Sequence, residues 1–302
     1  MIPEDQSGQA IGIDVGVTNV KMARVTPRGE VLAREMVPTD ASEPDWPERL
    51  RARFLELEGR GEPARWVGAA APGIARADGA SILWMRGRLD AVEGLDWTGL
   101  LGRKARVPVL NDAQAALLGE TWQGAAAGAR NAFLLTLGTG VGGAAMVDGS
   151  LLRGAIGRAG HLGHMCLDID GGPDIVGTPG SLEDAIGNCT IGERTGGRFE
   201  TTHDLVAAYE RGDAAATTVW IRSVQALACG IASLVNILDP EVVILGGGIA
   251  RAGESLFGPL RQMLAALEWR PHGHEAKVVP AALGEFAGAL GSAWNAIREG
   301  RS

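Results

Sequence analysis

The chain runs to 302 residues, 46% of them apolar, with 28 basic and 36 acidic side chains and a net charge of −8. That is enough apolar material for a full core and enough length for two domains. The acidic balance speaks against a nucleic-acid partner, which would need a clustered basic face, and the 45 glycines, well above the usual ~7% share, sit in separate turns rather than in a low-complexity tract.

The first nine residues, MIPEDQSGQ, are polar and lack the basic-then-apolar plan of a secretion signal. From Ala10 onward, IGIDV, NVKMARV and EVLAREMV alternate with turns and predict a three-stranded meander with a turn at Pro27-Arg28-Gly29. Residues 43–58 place Trp46, Leu50, Phe54 and Leu57 on one side of a helix. RWVGAAAPG reads as a buried strand ending in a turn, PVLND as a strand and AQAALLGETW as a helix. RNAFLLTLGTGVGGAAMVDGSLLRG is then strand, Gly/Thr turn, strand and Asp-Gly hairpin turn. This repeats the plan of residues 10–35 about 120 residues further on, which predicts a duplicated architecture of two similar lobes.

A long helical segment is predicted over roughly residues 204–237. Its apolar run ALACGIASLVNIL is too short to cross a bilayer and contains polar residues, so no membrane partner is expected. DPEVVILGGGIARAGESLFGPLRQML follows as strand, triple-glycine turn and helix, and AALGEFAGALGSAWNAIREG closes the chain as a helix. The expected division is a first lobe over residues 1–117, joined by the terminal helix 288–302, and a second lobe over 118–287. The three cysteines, Cys166, Cys189 and Cys229, are odd in number and lack C-x-x-C spacing, so they read as reduced thiols of a cytoplasmic protein.

The glycine turns carry the chemistry. GTGVGG (138–143) is no dinucleotide fingerprint, because a strand and hairpin follow it where that motif needs a helix. A Gly/Thr turn between strands still suits phosphate, since its backbone N–H groups turn toward an anion and threonine adds a hydroxyl; a plain tight hairpin is the rival reading for any one turn. Three such turns occur in order. DVGVTNVK supplies Asp14, Gly16, Thr18, Asn19 and Lys21; LGTGVGG supplies Gly138, Thr139 and Gly140; LGGGIA supplies Gly246, Gly247 and Gly248 ahead of a helix. A helix N-terminus there would favour a phosphate or a nucleotide.

This ordered set resembles the two phosphate motifs and the adenosine motif of the actin-like ATPase superfamily. Within it, LNDAQAALLGE followed by TLGTGVGGAAMVDGSLLRGAIGRAGHLGHM resembles the ROK family of sugar kinases, over about residues 11–295. The resemblance implies an α/β fold of the two-lobed actin-like (ribonuclease H-like) kind, with duplicated mixed sheets, helices on both sides and a cleft between lobes. It implies ATP-dependent phosphorylation of a hexose or hexose derivative, at the 6-hydroxyl, with Mg²⁺ as the companion of ATP and a homodimer as the assembly.

Residue by residue, the resemblance makes Asp112 the general base and puts Asn111 and Gly73 against the sugar. Read from the residues alone, Asp112 is better taken as the cap of the helix that follows, worth ~1 kcal/mol, but its place between the phosphate turns favours catalysis. Asp14 falls near the Mg²⁺ of Mg-ATP, mainly through water, and Lys21 is either a phosphate partner or an exposed strand lysine. The family's Glu-x-Gly-His reads here as His161 through His164, and the glutamate after its cysteine run is Glu183; the family uses these three positions on sugar hydroxyls. Glu183 also reads as a first-turn acid behind a Ser181 cap.

Two departures stand out. GRL (Gly87, Arg88, Leu89) replaces a loop that often reads PNL in the family. An arginine there suits either an anionic sugar or solvent. The family's zinc-binding run Cys-x-Cys-Gly-x-x-Gly-Cys is also gone: Asp174, Val176 and Ser181 occupy the cysteine positions, so no structural zinc of the family type is expected. A different metal site built from His161, His164 and nearby aspartates stays open, and Pro173, Pro179 and the Ser181 cap are left to shape the loop. The rival function is a non-catalytic sugar sensor. Family repressors carry an N-terminal helix-turn-helix, for which a first strand near residue 11 leaves no room. An actin-like ATPase with a protein partner does not account for LNDAQAALLGE together with GHLGHM.

Overall fold

The computed structural model describes residues 7–40, 43, 45–85 and 89–300; Gly87 and Arg88 of the altered loop lie outside them. In chain order the first elements are β1 (Ala10–Val15), β2 (Asn19–Val25), β3 (Val31–Pro38), α1 (Trp46–Glu58), β4 (Trp66–Ala71), β5 (Ile74–Ala75), β6 (Ile82–Trp84), α2 (Trp97–Leu100), β7 (Val109–Asn111) and α3 (Asp112–Gln123). Then come β8 (Ala132–Leu137), β9 (Val141–Val147), β10 (Ser150–Leu151), α4 (Leu182–Ile186), α5 (Ile191–Arg194), α6 (Thr202–Glu210), α7 (Ala214–Leu238), β11 (Val242–Gly246), α8 (Glu254–Leu267), β12 (Lys277–Pro280) and α9 (Ala287–Glu299).

The chain divides into two compact units. The first takes in the residues up to Gly128, Leu151–Ala159 and the residues from Ala282 onward. Its five-stranded sheet has the order β3-β2-β1-β4-β7, with β1–β2–β3 antiparallel and β1–β4–β7 parallel. Alternation along β1 sends Ile11, Ile13 and Val15 to one face, where Trp46, Phe54 and Leu57 of α1 and Trp97 of α2 complete the core. The other face receives α9, whose Ala289, Ala293 and Ile297 cluster with Ala10, Ala23 and Trp66. This contact is backbone-close: a Cβ at Gly12 would stand 1.8 Å from the Ala289 carbonyl oxygen. The Ser292 hydroxyl also donates to the Ile13 carbonyl at 3.1 Å.

The second unit, Ala129–Ser150 with Gly160–Ala281, holds a sheet of the same plan, β10-β9-β8-β11-β12. β8 and β9 form an antiparallel hairpin, and β8, β11 and β12 run parallel. Asp148 and Gly149, both at positive φ, make the tight turn into β10. The two mixed sheets bear out the α/β class and the duplication expected from the sequence.

Three expectations are corrected. The helix predicted over 204–237 is two helices, α6 and α7, because Gly212 turns at φ +80° and the Asp213 side chain caps α7 by accepting from the Ala216 amide at 2.8 Å. At 25 residues α7 is, by length and composition, long and apolar enough to cross a membrane, unlike the shorter apolar run within it. It buries Trp220, Val224, Leu227 and Ile231 and packs on α4, α6 and α8. The division falls after Gly128, not at 117, because α3 stays whole in the first unit and packs along α9.

Candidate active site

In the first unit, the β1–β2 hairpin gathers the first motif. Asp14 and Lys21 are cross-strand partners, with carboxylate and ammonium 3.9 Å apart. Asp14 is buried, and desolvation pushes its pKa up to about 7; Lys21 opposes that rise and the charge of Asp112 adds to it. The turn is tight. The Gly16 amide donates to the Asn19 carbonyl at 3.0 Å, and Thr39 at the end of β3 ties it down, its amide donating to the Thr18 carbonyl at 3.0 Å and its hydroxyl to the Gly16 carbonyl at 2.6 Å. The side chains of Val17 and Thr18 point outward, exposed.

The junction of β7 and α3 presents Asn111 and Asp112. Asn111 leaves the strand in the extended conformation that a cap requires, and its Oδ1 accepts from the Ala113 and Gln114 amides at 2.9 and 3.3 Å. Gln114 reaches back to the Asn111 amide at 3.3 Å, completing a capping box. The Asn111 Nδ2 donates to the Gly73 carbonyl at 3.0 Å, and Gly73 itself sits at φ +103°. The cap that residue type offers to Asp112 therefore belongs to Asn111. Asp112 is the first helical residue, partly exposed, with its Oδ1 2.8 Å from the Ala113 amide.

In the second unit, the β8–β9 turn holds Gly138, Thr139 and Gly140. The Gly138 amide donates to the Gly140 carbonyl at 2.9 Å, and the Gly138 and Thr139 carbonyls accept from the Asn188 and Cys189 amides at 2.9 and 2.7 Å. Glu183 supports the same turn: its Oε2 accepts from the Val141 amide at 2.8 Å, so close to Gly140 that a Cβ there would stand 2.1 Å away. Gly247, at φ +86°, presses on the end of β8, where a Cβ would lie 2.3 Å from the Leu137 carbonyl oxygen. The second and third glycine turns thus converge.

They open on one cavity of about 530 Å³, lined by Gly138, Thr139 and Gly248 together with Asn188, Thr202 and His203. The last three are not among the residues that sequence motifs single out; by its polar surroundings His203 looks like an ordinary loop residue. The available signal is Thr201-x-x-Asp204, which starts α6: the Thr201 hydroxyl accepts from the Asp204 amide at 3.1 Å. The helix expected directly behind the triple glycine is displaced. A 3₁₀ turn, Ile249–Ala252, comes first, and Gly253 at φ +57° separates it from α8.

His161 precedes a 3₁₀ turn, Leu162–His164, and His164 is its last residue. His164 Nδ1 lies 2.8 Å from Asp174 Oδ2. Pro173 pairs with Pro179 across the following loop, and the Ser181 hydroxyl caps α4 by accepting from the Asp184 amide at 3.3 Å. Among the described residues the group of side chains close enough to share a metal ion is Glu183, Asp184 and Cys189, and neither histidine belongs to it.

A sequence model of the ROK family matches residues 10–299. The chain is 33% identical to a glucokinase of Thermotoga maritima over 94% of its own length and 95% of the relative's. It is 31% identical to a glucokinase of Halalkalibacterium halodurans over 94% and 93%. Among solved structures, a ROK hexokinase from Thermus thermophilus superposes with a TM-score of 0.84 at 29% identity, covering 97% of this chain and 99% of that one. A ROK glucokinase from Streptomyces griseus, in complex with glucose and AMPPNP, gives 0.76 at 26% identity, covering 96% and 100%.

Proposed function

The chain belongs to the ROK family, and from that premise we propose that it is a sugar kinase, transferring the terminal phosphate of ATP to the 6-hydroxyl of a hexose or hexose derivative. Phosphoryl transfer asks for positioned groups and charge stabilisation more than for covalent protein chemistry. Asp112 takes the hydroxyl proton as the sugar oxygen attacks the γ-phosphorus; the bond from that phosphorus to the bridging oxygen breaks and ADP leaves. The observation that carries this reading is the division of labour at the start of α3. Asn111 supplies the cap and the tie to Gly73, while Asp112 stands beside it as the partly exposed first residue of the helix.

The remaining roles follow from chemistry. Gly16, Thr18, Asn19 and Lys21, with Gly138, Thr139 and Gly140, form two turns that offer the phosphates hydroxyls, one ammonium and those backbone amides not spent within the turns. Gly248 lines the 530 Å³ cavity and Gly247 beside it packs on Leu137; the cavity's size suits a small ligand, and it takes the nucleoside end of ATP. Asp14 fits the Mg²⁺ of Mg-ATP: a buried carboxylate whose pKa has risen to about 7 with one ammonium 3.9 Å off gains from a second cation. It would hold that ion mainly through water, and the ion would neutralise phosphate charge.

His161, His164 and Glu183 address the sugar hydroxyls, with Asn111 and Gly73. Glu183 does so with one oxygen already committed to the Val141 amide. The loop that replaces the zinc motif holds itself by hydrogen bonds around Asp174, so no structural zinc is needed. The enzyme is read as a cytoplasmic homodimer. Coupled ADP release across hexoses, amino sugars and acylated amino sugars tests the function, with phosphorus NMR locating the new ester. Turnover with at least one sugar, phosphorylated on the 6-hydroxyl, is expected; no turnover with any sugar contradicts the reading.

A further inference from the structure

Asp174 occupies a position where the family carries a zinc-binding cysteine, yet its side chain is wholly buried and heavily used. Its Oδ1 accepts from the Val176 and Thr178 amides at 3.0 and 2.8 Å. Its Oδ2 faces His164 Nδ1 at 2.8 Å, and the Ser181 hydroxyl is a further donor to the carboxylate. Burial by itself would raise the pKa of this group, but the hydrogen bonds from His164, Thr178, Val176 and Ser181 hold it below the usual carboxylate range.

An ionised carboxylate can only accept. The proton between the two side chains therefore sits on Nδ1, and an imidazole that carries this proton alone has its lone pair on Nε2. We propose that Asp174 is a positioning residue for the sugar site, fixing His164 in the Nδ1–H tautomer so that Nε2 accepts a hydrogen bond from a sugar hydroxyl. The sugar part of this rests on the kinase reading above. The carboxylate does for the ring what a bound metal ion would otherwise do: it occupies Nδ1 and fixes the plane and the tautomer. The amides of Val176 and Thr178 hold that carboxylate in turn, so the loop's fold and the ring's chemistry are one arrangement.

Asp174→Asn makes the proposal sharp. The two backbone amides keep the asparagine oxygen on their side, which turns its NH₂ toward His164. An NH₂ donates, so Nδ1 must become the acceptor and the proton must move to Nε2. The test uses full-length protein with isotope-labelled histidine and reads the ring tautomer from two-bond proton–nitrogen correlations, with His164→Gln assigning the signal. The expected result is an Nδ1–H ring in the wild type and an Nε2–H ring in Asp174→Asn. In the variant the KM for the sugar rises about tenfold, the loss of one good hydrogen bond, while the KM for ATP moves less than about twofold. An Nε2–H ring in the wild type overturns the proposal, and needs no variant that might fail to fold. A switched tautomer with an unchanged KM for the sugar overturns it too, leaving the kinase reading intact. Wild-type protein that phosphorylates no sugar contradicts the kinase reading and, with it, the sugar in this proposal.

Discussion

The Asp14 carboxylate lies 3.9 Å from the Lys21 ammonium across the β1–β2 hairpin, yet its pKa rises to about 7, because burial outweighs the attraction of the lysine and the charge of Asp112 works with the burial. The folded chain therefore binds this proton more tightly than the unfolded chain. The stability it contributes is fully present below the ordinary value of 3.8 and is lost as pH rises through about 7. Asp14→Asn cannot ionise and escapes that loss. Denaturant unfolding should find the variant more stable than the parent by roughly 1–4 kcal/mol near pH 8 and about equal near pH 4. A difference that does not change between the two conditions contradicts the burial argument.

Asn111 holds the N-terminus of α3 and the Gly73 carbonyl together. Asn111→Ala should cost about 1–3 kcal/mol in urea unfolding, the sum of a lost cap and an orphaned carbonyl. Asp112→Asn should leave stability within about 0.5 kcal/mol. Equal losses in the two variants would mean that Asp112 shares the cap.

Gly247 turns at positive φ against Leu137. Gly247→Ala is expected to cost about 1–3 kcal/mol of stability. It should also raise the KM for ATP at least about tenfold with little change in the KM for the sugar, since it separates the two turns that border the cavity. Steady-state kinetics with each substrate varied in turn checks this. A larger effect on the sugar would move the cavity's assignment away from the nucleotide.

The loop between Cys166 and Ser181 closes on Asp174 through its own hydrogen bonds. Protein purified without added zinc is expected to carry no stoichiometric zinc by elemental analysis, and a chelator should not move its Tm. Stoichiometric zinc, or a chelator-induced drop of more than about 5 °C, would contradict a metal-free loop.

The amino-acid sequence is most informative where one period dominates. The spacing of Trp46, Leu50, Phe54 and Leu57 is enough to define the buried side of α1, and the strand–turn–strand repeat marks both sheets, since hairpin turns and β-branched runs are local signals. It misleads where a short local break competes with a long pattern. Gly212 and Asp213 divide a segment whose apolar periodicity runs on, and Gly253 delays the helix behind the triple glycine. At the candidate site the glycine turns are legible because their residue types are unusual. Asn188, Thr202 and His203 are not, because common polar residues from distant segments meet at the cavity only through the fold. By position Asp174 is a missing cysteine; its use as an acceptor for His164 and two loop amides depends on burial and direction, which no spacing encodes.

The central claim is that Asp112 is the base of a sugar kinase, and the most direct measurement is sugar-dependent ADP release by the wild type beside Asp112→Asn. The variant keeps the shape of the side chain and the Asn111 cap but cannot take a proton. The account predicts a fall in kcat of roughly 10²–10⁴-fold, the usual contribution of a general base, with the KM for ATP within about threefold of the parent. An Asp112→Asn enzyme that turns over its sugar at the wild-type rate would contradict it.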